Sequence, residues 1–299
     1  AASSGESEAE SETSQISDTS AEESDDGTFL YVALGDSIPY GYGLTDHETQ
    51  CYPYLFYQQI GSELSSFSNA AISGQTSPQL AAMIEGGAYI SNADLITVTI
   101  GANNILGSFF TDTLAIVIAN GGGVITSLDG LIGELAAYSS DTTSETTKAT
   151  LKKIIDALNT YYSGKAFEAK MDAAAAQLNT DITSIIASIN TYAPAAEVIF
   201  TTIYSPYKGC SFGIEDSYVE MTGLSDLCVE KLNTVIRERA NEEGYTVAEV
   251  YTAFEESDED LVNANISMTD AESVNVDPHP NSKGAQVIAD TLADAISKG

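Results

Sequence analysis

From residue 28 to the C-terminus, apolar runs of strand length alternate with stretches of helical period, and this alternation leaves few folds open. A strand that is apolar on both faces needs cover on both, so a β-α-β succession builds a parallel sheet between two helical layers. Strands are expected at 28–34, 67–72, 94–100, 197–203 and 245–250, and helices at 52–64, 78–85, 224–243 and 282–297. Helical periodicity is clearest over 151–192, where Gly164 should divide two helices. The fold class expected is α/β, a three-layer α/β/α sandwich on a parallel five-stranded sheet. In such sheets ligands sit beyond the carboxyl ends of the strands, which locates a site before any residue in it is named.

Residues 1–27 depart from this pattern, being almost wholly Ser, Thr, Ala, Glu and Asp. They cannot bury enough apolar surface to offset the entropy of ordering and are expected to be a disordered tether with a reach of about 30 Å. Residues 28–299 are then the folded domain, with an insertion rich in glycine and apolar residues at about 105–150. A leader of this kind resembles the stalk of an exported bacterial lipoprotein or secreted enzyme. A secreted or cell-surface location is therefore expected, with lipid anchoring through a removed N-terminal segment as one route. No apolar stretch approaches the roughly 20 residues that span a bilayer. The net charge of -33, with only 11 Lys and Arg, argues against a nucleic-acid partner. Cys51, Cys210 and Cys228 with two histidines form no zinc spacing, so neither metal nor other cofactor is expected. Cys210 and Cys228 either close a short disulfide loop worth about 3 kcal/mol or remain buried thiols. The chain is expected to act as a monomer.

The first strand runs into Gly35-Asp36-Ser37-Ile38-Pro39-Tyr40-Gly41, so a serine stands just past a strand's carboxyl end among glycines that permit a tight turn. Alone, such a serine reads as a cap. Three further segments follow in order: Gly74 in Asn69-Ala70-Ala71-Ile72-Ser73-Gly74, then Gly101-Ala102-Asn103-Asn104, and finally Asp277-Pro278-His279-Pro280. Together the four segments resemble the sequence blocks of the SGNH, or GDSL-type, hydrolase family, and the resemblance covers the chain from residue 28 onward. It implies a flavodoxin-like sheet and a serine esterase. It also implies Ser37 as nucleophile, His279 as base, and the Ser37 and Gly74 backbone N–H groups with the Asn103 amide as oxyanion donors. A serine hydroxyl needs a neighbouring imidazole to take its proton, and the oxyanion needs fixed donors. Two positions depart from the family pattern. The acid usually stands three residues before the histidine, where this chain has Val276, so Asp277, two before, is the candidate, with a backbone carbonyl as the other way to orient His279. Asn104 stands where many members carry Asp.

Other candidates are weaker. His47, in Asp46-His47-Glu48, reads as a solvated loop residue. Gly209-Cys210-Ser211-Phe212-Gly213 matches the G-x-S-x-G elbow, but no strand ends at it and no helix starts there. The acidic run 255–260 lacks the glycine and ligand spacing of a calcium loop. The activity expected is hydrolysis of carboxylic esters through an acyl-serine intermediate. Acetyl groups on a polysaccharide and acyl chains of a lipid both remain open as substrates. The 105–150 insertion bears on that choice, as an apolar lid or as extra core. The reading from another class is a surface binding protein that keeps the fold without turnover.

Overall fold

A computed structural model describes residues 28–61, 65–140, 142–266 and 274–298. The tether expected at 1–27 lies outside the described residues. The main sheet has five parallel strands in the order β2-β1-β3-β4-β7, with β1 at Phe29–Gly35, β2 at Ser65–Asn69, β3 at Leu95–Thr99, β4 at Glu197–Thr201 and β7 at Thr246–Ala248. This is the three-layer α/β architecture the alternation predicts. The two other strands among the described residues, β5 (Ser211–Ile214) and β6 (Ser217–Glu220), form a separate antiparallel hairpin.

Alternation along β1 decides which layer covers which face, because successive side chains point to opposite sides of a strand. Val32 and Leu34 join Ile96, Val98 and Phe200 on one face. Against them pack α4 (Ser77–Ile84), α8 (Lys165–Tyr192) and α9 (Met221–Glu243). Tyr31 and Ala33, with Leu95 and Ile199, line the other. That face is covered by α3 (Tyr52–Ile60), α10 (Val250–Glu256) and α11 (Ser282–Lys298). Two single turns, α1 (Ser37–Tyr40) and α2 (His47–Gln50), connect β1 to α3.

The expected break at Gly164 separates α7 (Glu145–Tyr162) from α8. Helix α9 starts three residues before the expected 224, because the Glu220 carboxylate accepts the Thr222 and Gly223 N–H groups and caps it. Residues 103–140 hold two helices that the periodicity does not announce, α5 (Asn103–Asn120) and α6 (Leu128–Ser139). With α7 and the β5–β6 hairpin they enclose a third core containing Val117, Leu131, Leu135, Ile154 and Leu158. Phe109 and Tyr162, stacked at 5.3 Å, pack against both this core and the main one. All three cysteines are buried and free, so the pair Cys210 and Cys228 forms no disulfide.

Candidate active site

The carboxyl ends of β2, β1 and β3 lie side by side, and one glycine allows it. Gly35 has φ +137°, and a Cβ there would stand 2.0 Å from the Thr99 carbonyl oxygen of β3. The next residue donates from its N–H to that same oxygen at 3.2 Å, while the Ile72 N–H after β2 reaches the Gly35 carbonyl at 2.9 Å. The turn into α1 is closed by the Asp36 carboxylate, which accepts the Ile38 N–H at 3.0 Å. Ser37 thus opens α1 in a fixed position, only 8% exposed.

Asp36 is fully buried, and burial pushes its carboxyl up to about 7 against the opposing pull of the backbone N–H groups. Because the folded value exceeds the ordinary carboxylate value of about 4, the native state holds this proton more tightly than the unfolded chain. The stability it contributes is complete below about pH 4 and is lost as pH rises through about 7. Asp36→Asn keeps an acceptor for Ile38 and never ionises. Its stability relative to the native chain should therefore rise by on the order of 2–4 kcal/mol between about pH 4 and pH 7 in urea unfolding. A difference that stays constant across that range would contradict this burial effect.

From the other end of the chain, the loop before α11 brings His279 over α1. The Ser37 hydroxyl lies 2.8 Å from His279 Nε2, and His279 Nδ1 lies 2.5 Å from Asp277 Oδ1. The unusual two-residue spacing works because Oδ1 also accepts the His279 backbone N–H at 3.2 Å, an Asx-type turn that delivers the carboxylate to the ring. The second oxygen, Oδ2, accepts from Asn263 Nδ2 at 3.0 Å, and the Asn263 N–H donates to the His279 carbonyl at 2.9 Å. Tyr204 and Tyr207 donate their hydroxyls to the Pro278 and Val276 carbonyls at 2.8 and 3.1 Å. The Tyr42 ring rests on the imidazole, centroids 4.5 Å apart. None of these four supporting residues is singled out by the sequence, since each acts through a loop contact that no local pattern encodes.

On the opposite side, Gly74 has φ +80° with open space where a Cβ would stand. Asn103 opens α5 and donates from Nδ2 to the Gln75 carbonyl at 3.0 Å, which uses one of its two amide hydrogens. The neighbouring Asn104 accepts the Ser77 N–H at 3.0 Å and donates to Ser77 Oγ at 2.6 Å. That hydroxyl donates in turn to the buried Asp181 carboxylate of α8 at 2.6 Å. A carboxylate therefore does stand behind this loop, supplied by a helix rather than by position 104.

The sequence profile of the GDSL-like Lipase/Acylhydrolase family matches residues 33–287. This chain belongs to that family. No curated protein matches it in sequence. Among solved structures, the lipase Lip_vut3 from a goat rumen metagenome is 17% identical with a TM-score of 0.56, covering 90% of this chain and 97% of its own. Phospholipase A1 from Streptomyces albidoflavus is 20% identical at a TM-score of 0.56, covering 90% and 99%. An extracellular lipase from Streptomyces rimosus is 20% identical at 0.53, covering 90% and 100%. At these identities the likeness is one of fold.

Within this GDSL-family chain the rival residues fall elsewhere. Ser211 begins β5 of the hairpin, with no strand-to-helix elbow around it. His47 opens α2 and stacks on Tyr40. Among the described residues no group of three or more His, Cys, Asp or Glu is arranged to hold a metal, and no helix is long and apolar enough to cross a membrane. The candidate site opens onto an apolar cavity of about 960 Å³ including its mouth, with Ser37, Asn103 and His279 on its wall beside Ile105, Leu224, Val229 and Leu232. Cys228 also lines it, its thiol pushed up to about 12 by burial and so kept neutral.

Proposed function

We propose that this family member is a serine esterase that works through an acyl-serine intermediate. The observation that carries the reading is the continuous hydrogen-bond path from Ser37 through His279 to Asp277. His279 Nε2 takes the Ser37 proton as Oγ attacks the ester carbonyl carbon, and Asp277 holds the ring with Nδ1 protonated. The carbonyl oxygen becomes an anion met by the Ser37 N–H, the Gly74 N–H and the remaining Asn103 amide hydrogen, each donor worth roughly 3 kcal/mol of the barrier. The Ser37 N–H lies in the first turn of α1, where backbone donors have no intrahelical acceptor. His279 then passes its proton to the leaving alkoxide, which departs as the alcohol. Water repeats the attack on the acyl-serine and releases the acid. The scheme requires no metal.

Labelling by a fluorophosphonate probe tests it directly. Peptide mapping should place the adduct on Ser37, and a chain that neither labels nor hydrolyses aryl esters would remove the enzymatic reading. Asn263 offers a finer check, because it fills the outer oxygen of Asp277 without touching substrate. Asn263→Ala should lower kcat about tenfold with KM little changed, the effect of one lost hydrogen bond to a charged group. A kcat equal to that of the native chain would assign Asn263 to the loop alone.

An extracytoplasmic location fits the acidic, serine-rich residues 1–27 and the fold neighbour described as an extracellular lipase.

A further inference from the structure

A second apolar cavity, about 1040 Å³ including its opening, lies beside the third core, with Leu128, Leu131, Ile132 and Leu135 of α6 on one wall and Phe212 of the hairpin on another. Phe109, Tyr207 and Met221 line both this cavity and the one at Ser37. These three side chains are therefore the partition between two chambers. One of them is a methionine, unbranched and able to change rotamer at little cost, and Phe109 is only partly buried. The lining of the second chamber is almost wholly apolar, which suits a hydrocarbon chain.

We propose that the two chambers form one acyl-binding tunnel, constricted at Phe109, Tyr207 and Met221, and that the preferred substrate is an ester of a linear acyl chain longer than octanoyl. The inference rests on the acyl-serine reading. An acyl group bonded to Ser37 Oγ has its carbonyl at the oxyanion donors, and its hydrocarbon enters the first chamber. Methylenes that cross the partition gain further apolar contact in the second chamber. An acetyl group would leave both chambers without contact. The alcohol moiety lies outside the tunnel and does not enter this argument.

The test is the acyl-length profile of 4-nitrophenyl acetate, butyrate, octanoate, laurate and palmitate, with the native chain and with Ala136→Trp. Ala136 lies on α6 at the wall of the second chamber, partly buried, and does not line the first, so an indole there fills the second chamber alone. For the native chain kcat/KM should rise at least about tenfold from octanoate to palmitate, well inside the limit of about fourfold per buried methylene. In Ala136→Trp the ratio of palmitate to butyrate rates should fall at least tenfold. Ile132→Phe gives a milder filling of the same chamber, and serves if the indole prevents folding. A native profile that falls beyond octanoate, or a filled chamber that leaves the ratio unchanged, overturns the tunnel while leaving butyrate hydrolysis and Ser37 labelling to stand. Loss of butyrate hydrolysis and labelling together in the native chain would instead remove the acyl-serine reading itself.

Discussion

Ser37→Ala should lower kcat/KM on a butyryl aryl ester by at least about 10⁴-fold and abolish fluorophosphonate labelling. The substitution deletes one oxygen from a residue that opens α1, where alanine is readily accommodated and the backbone N–H is retained. Thermal unfolding should hence be close to that of the native chain, so the loss reads as chemistry and not as collapse. Activity within about a hundredfold of native would mean that the hydroxyl beside His279 is not the nucleophile. The rate that survives measures what the oxyanion donors and the cavity contribute without covalent catalysis.

Asp277→Asn should reduce kcat by about 10³–10⁴-fold, and the bonding around the carboxylate explains so large an effect for one atom. Both oxygens face donors: Oδ1 meets the His279 ring nitrogen and backbone N–H, and Oδ2 meets Asn263 Nδ2. An amide has only one acceptor to offer. With its oxygen toward His279 it sets an NH₂ against Asn263. Turned the other way, it presents an NH₂ to the imidazole and selects the tautomer that cannot take the Ser37 proton. Phosphonylation of Ser37 should slow in parallel with ester hydrolysis. A kcat within tenfold of native would assign the orientation of His279 to the backbone instead.

The fold and the candidate site were legible in the sequence where they depend on local pattern. The continuous apolar stretch of β1 ending at Gly35-Asp36-Ser37 announces a buried strand and a turn, and Gly164 marks a helix boundary by its composition alone. Helix α5 gave no such sign: Leu114-Ala115-Ile116-Val117-Ile118-Ala119 is apolar on every side, and it packs partly on the third core, which exists only in three dimensions. The hairpin strands are four residues each, too short for alternation to stand out. Asn263, Tyr204 and Tyr207 could not be found from pattern, because their significance is a reach across the fold to one loop. The carboxylate at Asp181 was hidden for the same reason, arriving from α8 beneath a loop whose own Asn104 was the visible anomaly.

Ser37 and His279 are 242 residues apart, and the helix that follows the histidine seats Ala285, Ile288, Ala289 and Leu292 in the core shared with Tyr52 and Phe56. A ribosome therefore exposes the proposed nucleophile early and its proposed base near the end. Through most of synthesis the serine hydroxyl has no partner to activate it, and it gains one only when the closing helix docks. The onset of ester hydrolysis in a refolding or translation reaction thus clocks the last assembly step of the fold.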